Sequence, residues 1–137
     1  DNTQRLARIK TIQDTVDALA GAGIRVALFI EPERRQLEAA AAVGAPMVEL
    51  HTGVYGNASG AKLASEARRL AEAARIGVEL GLEVHAGHGL TYDNVGAIAA
   101  IPEVVELNIG HYLVGEAIFS GLDSAIRRMR ALMDQAR

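Results

Sequence analysis

Short apolar runs alternate with helical segments along the chain, and that alternation leaves few folds open. Residues from about Thr3 to Ala20 carry Leu6, Ile9, Val16 and Leu19 at helical spacing, with Gly21 and Gly23 as stop signals. Ile24 to Ile30 is an apolar run suited to a buried strand. Pro32 opens a helix to about Val43, closed by Gly44. Met47 to His51 reads as a second strand. A polar, glycine-bearing loop from Thr52 to Gly60 follows, long enough to be mobile. Ala61 to Leu80 is a long helix, with Leu63, Ala67, Leu70, Ala74 and Val78 on related faces and Gly81 as its cap. Glu83 to Ala86 reads as a third strand, Asn94 to Ala99 as a short helix before Pro102, and Val104 to Ile109 as a fourth strand broken by Gly110. A helical piece from Tyr112 to Phe119 precedes a final amphipathic helix, in which Leu122, Ile126, Met129 and Met133 recur at spacings of four, three and four.

Helical crossovers between short apolar strands imply a parallel sheet in an α/β fold. The repeat length suits a (β/α)8 barrel, which needs eight units and about 250 residues. With 137 residues, this chain supplies about half of that. It is either an open α/β sheet or half of a barrel, and a half-open parallel sheet exposes an apolar edge and face. A net charge of -3 argues against a broad basic surface for nucleic acid. No apolar run reaches the roughly 18 residues of a membrane span. The absence of cysteine removes disulfides and thiolate chemistry and fits a reducing cytoplasm. The polar start without methionine is not a signal peptide, and residue 1 is not expected to be the natural start.

The chemistry gathers at strand ends. His51, His85, His88 and His111 all lie at or just past an expected strand C-terminus, where parallel α/β folds place their ligands. Glu49 and His51 are two apart and share a face, as do Glu106 and Asn108. A carboxylate within an apolar strand needs a partner or a task, and Glu49 suits an acid, a base or a charge stabiliser. His88 stands between Gly87 and Gly89, which leave its imidazole uncrowded for proton transfer. Gly110-His111 turns a strand into a helix, an arrangement that offers backbone N–H groups to a phosphate. His85 and His88 also form an H-x-x-H pair, so a metal site with Glu49 and His51 stays open at this point.

These segments resemble one family. Glu49-Leu50-His51-Thr52-Gly53, then Ala86-Gly87-His88-Gly89-Leu90-Thr91-Tyr92, then Ile101-Pro102-Glu103 with Glu106-Leu107-Asn108-Ile109-Gly110-His111, are similar to pyridoxine 5′-phosphate synthases. Val26 to Ile30 and the turn Val43-Gly44-Ala45-Pro46 match as well, so the likeness runs through nearly the full chain in order. The resemblance implies a TIM-barrel enzyme of vitamin B6 synthesis. Such enzymes condense 1-deoxy-D-xylulose 5-phosphate with 3-amino-2-oxopropyl phosphate, closing the pyridine ring and releasing phosphate and water. It implies no metal and no organic cofactor, and a homo-octamer built from dimers. His88 matches the histidine that transfers protons late in the reaction, and Glu49 the glutamate that stabilises the transition state. Gly89, Gly110 and His111 match groups that bind the amino-ketone phosphate. His85 stands where the family pattern has asparagine, and neither it nor His51 receives a role.

The family's N-terminal motifs are missing: an Asn-x-Asp sequence, a catalytic histidine with a nearby arginine, and a second catalytic glutamate. The resemblance therefore makes residues 1–137 the C-terminal half of a single barrel domain, not expected to complete the reaction alone. Two further readings follow from the residues. One is a non-catalytic phosphate-binding half-barrel that self-assembles. The other is a metal-dependent enzyme using His51, His85 and His88.

Overall fold

The computed structural model describes residues 2–137, with side chains from Arg8 onward. Leu6, expected on the first helix, lies outside the described side chains. The chain runs α1 (Asn2–Gly21), β1 (Ala27–Ile30), α2 (Arg34–Ala42), β2 (Met47–His51), α3 (Gly53–Gly56), α4 (Gly60–Glu79), β3 (Glu83–Gly87), α5 (Val95–Ala99), β4 (Val104–Asn108), α6 (His111–Ser120) and α7 (Leu122–Gln135).

The strands form one parallel sheet in the order β1-β2-β3-β4. Parallel strands are joined almost always by right-handed crossovers, and a sheet that steps in one direction throughout then has its crossover helices α2, α4 and α5 on one face. A doubly wound sheet reverses direction midway, and this one does not. The α/β arrangement is therefore that of half a (β/α)8 barrel, four successive strand–helix units with the helices outside.

Side-chain alternation divides the sheet into two faces. Val48, Leu50, Val84, Ala86 and Val104 turn toward the helices and are buried against Leu37, Leu70, Ala74 and Ile98. The opposite face carries Phe29, Glu49, His51, His85, Glu106 and Asn108. In register, Phe29 pairs with Glu49, Glu49 with His85, and His85 with Glu106. Between the pairs Val84–Val104 and His85–Glu106 the register slips by one, which leaves Val105 as the bulged residue, 60% exposed.

Several sequence expectations shift. The first strand begins at Ala27 rather than Ile24; Ile24 is 52% exposed, and Arg25 reaches out to Glu83. The expected mobile loop from Thr52 contains the turn α3, anchored by the buried residues Thr52 and Tyr55. On α7, Met129 is buried beside Ala125, but Leu122 and Ile126 of the expected apolar stripe stand open. With Val114, Ile118 and Phe119 of α6, they make an uncovered apolar surface.

These burials set the cost of substitution. Leu50→Ala removes a side chain with no exposed surface and is expected to lower unfolding free energy by about 2–5 kcal/mol. Phe119→Ser, at a residue 89% exposed, should stay within about 0.5 kcal/mol. Urea denaturation of the two variants checks the division into a covered and an open face.

Candidate active site

The open face narrows to a site at the C-terminal ends of the strands. There the ladder places His51, Gly87 and Asn108 side by side on β2, β3 and β4. Glu49, one pleat below, extends its carboxylate across Gly87, and Asn108 Nδ2 donates to its Oε2 at 3.0 Å. Glycine is required at the crossing: a Cβ on Gly87 would lie 2.2 Å from Glu49 Oε1 and 2.9 Å from the Asn108 carbonyl oxygen. The partner anticipated for the strand carboxylate is thus a side-chain amide.

His88 follows in the left-handed region at φ 80°, and Gly89 continues there at φ 77°. A side chain in that conformation costs roughly 1–2 kcal/mol, so its surroundings must hold it. Thr52 is the holder. Its backbone N–H donates to the Gly87 carbonyl at 2.9 Å, and its hydroxyl sits 2.7 Å from the same oxygen and 2.5 Å from the His88 carbonyl. Thr52 is fully buried, and sequence reasoning did not single it out. The usable signal was a β-branched hydroxyl wedged between a strand end and a glycine. The remainder of the loop is closed by Asn94, which accepts from Thr91 N–H and donates to the Gly89 carbonyl. The Tyr55 hydroxyl donates to the Asn94 carbonyl at 2.7 Å. Burial raises the Tyr55 phenol above its ordinary value, so it stays a donor through the neutral range.

The His88 ring joins a cluster with Phe29 and His51. The two imidazole centroids are 4.9 Å apart and edge-on, and Phe29 lies 5.1 Å from His51. Across a cavity of about 570 Å³ stands the start of α6, where Gly110 precedes His111. Tyr92, on the loop after β3, packs edge-on against Tyr112 of α6 at 4.9 Å and ties the two sides together. Glu49, His88, Gly89, Gly110 and His111, the residues singled out by sequence, all line this cavity.

His85 does not join them. It lies in the middle of β3 rather than at its end, and it is buried. Its ring nitrogens face carboxylates: Nε2 is 2.8 Å from Glu83 and Nδ1 is 3.5 Å from Glu106. The H-x-x-H reading thus separates, and among the described residues no three His, Asp or Glu side chains are grouped to hold a metal ion. The His85 hydrogen bond, and then Arg25, hold the Glu83 carboxyl below its ordinary value.

Residues 3–135 match the family model described as pyridoxal phosphate biosynthesis protein PdxJ. The chain belongs to the PdxJ family. A pyridoxine 5′-phosphate synthase of Zymomonas mobilis is 55% identical over 130 residues, covering 95% of this chain and 51% of that protein. One from Rhodospirillum rubrum is 62% identical over 123 residues, covering 88% of this chain and 49% of its own length. One from Jannaschia is 61% identical, covering 87% and 50%. The chain spans about half the length of the curated PdxJ relatives it matches. No described helix is long and apolar enough to cross a membrane.

Thr52→Val keeps the shape but strips the hydroxyl from the buried Gly87 carbonyl and the part-buried His88 carbonyl, and should lower stability by about 1–3 kcal/mol in denaturant unfolding. The Glu83 shift has a sign as well. A depressed carboxylate stabilises the fold above its unfolded value, here about 4.5, and that contribution fades as pH falls through the folded value. Glu83→Gln should therefore flatten the acid limb of a stability–pH curve, read by urea unfolding at a series of pH values.

Proposed function

We propose that the protein carrying this chain makes pyridoxine 5′-phosphate. It condenses 1-deoxy-D-xylulose 5-phosphate with 3-amino-2-oxopropyl phosphate and releases phosphate and water. The chain supplies the C-terminal half of the barrel, and the complete protein works as a cytoplasmic homo-oligomer, an octamer, without a metal or organic cofactor. The observation that carries this reading is that Glu49, His88, Gly89, Gly110 and His111 line one cavity, in a chain of the PdxJ family.

The proposed division of labour follows from the chemistry of each group. Phosphate of the amino-ketone sits at the start of α6. There the unpaired backbone N–H groups of the first turn carry partial positive charge, and the first turn itself holds no acidic side chain. A Cβ at Gly110 would meet nothing within 4 Å, so the space beside this turn is open. The Gly89 backbone and the His111 side chain complete the grip. Glu49, steadied by Asn108, presents negative charge to the nitrogen-bearing intermediate as positive charge develops on it. His88 gives and takes protons as the ring closes. Alone, the chain binds the amino-ketone phosphate but does not complete the ring, because the first acid–base steps belong to the other half.

The test joins this chain to the N-terminal half of the Zymomonas mobilis relative and follows product fluorescence after both substrates are added. The joined protein is expected to turn over, and His88→Asn in it should lower kcat by about 10²–10⁴-fold without loss of folding. A folded joined protein that makes no product, or one indifferent to His88→Asn, overturns the assignment.

A further inference from the structure

Glu31 and His51 stand beside the cavity and have no part in the chemistry above. Glu31 follows β1, and His51 ends β2. Glu31 Oε1 lies 2.6 Å from His51 Nδ1. A carboxylate accepts but does not donate, so Nδ1 carries the proton of this contact. Glu31 is steadied in turn, its backbone N–H donating to Gln36 Oε1 at 3.0 Å. The His51 ring then meets the His88 ring edge-on at 4.9 Å. Gly53 lies beneath both: a Cβ there would come 2.5 Å from His51 Nε2 and 3.1 Å from His88 Cδ2. A line of contact thus crosses three strand ends, from the Glu31 carboxylate through His51 to His88.

Thr52 fixes the His88 backbone but leaves the ring free to turn about χ2. Among the described residues the His88 ring has no hydrogen-bond partner, so its ring contacts are what restrict it. We propose that Glu31, acting through His51, sets the ring orientation of His88, and that both are positioning residues for it. The functional weight of this inference rests on the reading of His88 as the proton-transfer group. The coupling itself does not.

Nitrogen-15 imidazole spectra of the full chain test it without any turnover. His51 should appear as the Nδ1–H tautomer. Glu31→Gln keeps the size but offers an amide that can donate as well as accept, so the Nδ1–H signature should be lost in part and the His88 ring signals should shift. Glu31→Asp, which retains the carboxylate, should restore both. In a His51→Phe background, Glu31→Gln should no longer move the His88 signals. Unchanged amide signals along α4 establish that each variant is folded. His88 ring signals that coincide in wild type and Glu31→Gln overturn the proposal, as does an equal shift with Phe at position 51. Full turnover of His88→Asn in the joined protein, with the coupling intact, would instead sink only the catalytic reading.

Discussion

The ladder between β2 and β3 continues past the point where the strands end. Thr52 extends it by one backbone hydrogen bond to the Gly87 carbonyl, and its hydroxyl is shared between that oxygen and the His88 carbonyl. That clamp turns the chain into the left-handed region at a residue other than glycine, where local sterics alone would not keep it. The loop after β3 is then fixed from within by Asn94 and from α3 by Tyr55. Without the clamp, the His88 ring has no defined place beside His51, and the cavity has no defined wall.

The same ladder explains why the site is polar over a sheet whose other face is fully apolar. Period-two alternation sends Val48, Leu50, Val84 and Ala86 to the helices and leaves Glu49, His51 and His85 on the open face. The carboxylates on this face are only partly buried, and each has a partner of matching chemistry: Asn108 for Glu49, His85 and Arg25 for Glu83, His51 for Glu31. Gly87 and Gly53 are small because rings and carboxylates cross directly above them. In these two positions glycine serves close approach rather than flexibility.

That distinction marks what the sequence could reveal. β2, β3 and β4 were legible as apolar runs between glycine stops, and alternation from Glu49 and Asn108 gave the correct face. The glycines after Thr52 read as a mobile loop, because composition does not separate a glycine that bends from one that makes room. Ile24 read as strand because the run is apolar, yet the residues before Ala27 have no ladder partner. The face of α7 holding Leu122 and Ile126 read as core, but nothing among the described residues covers it. His85 looked like a possible ligand for a metal until register placed it between Glu83 and Glu106. Thr52 was invisible because its partners are backbone carbonyls 35 and 36 residues away.

One cavity lies between the clamped His88 loop and the start of α6, and its proposed occupant is the amino-ketone phosphate. Titrating the nitrogen-15-labelled chain with 3-amino-2-oxopropyl phosphate tests it most directly. The largest amide shifts are expected on Gly89, Gly110 and His111, at the two rims of the cavity. Shifts gathered elsewhere on the sheet, or none at saturating ligand, would contradict it.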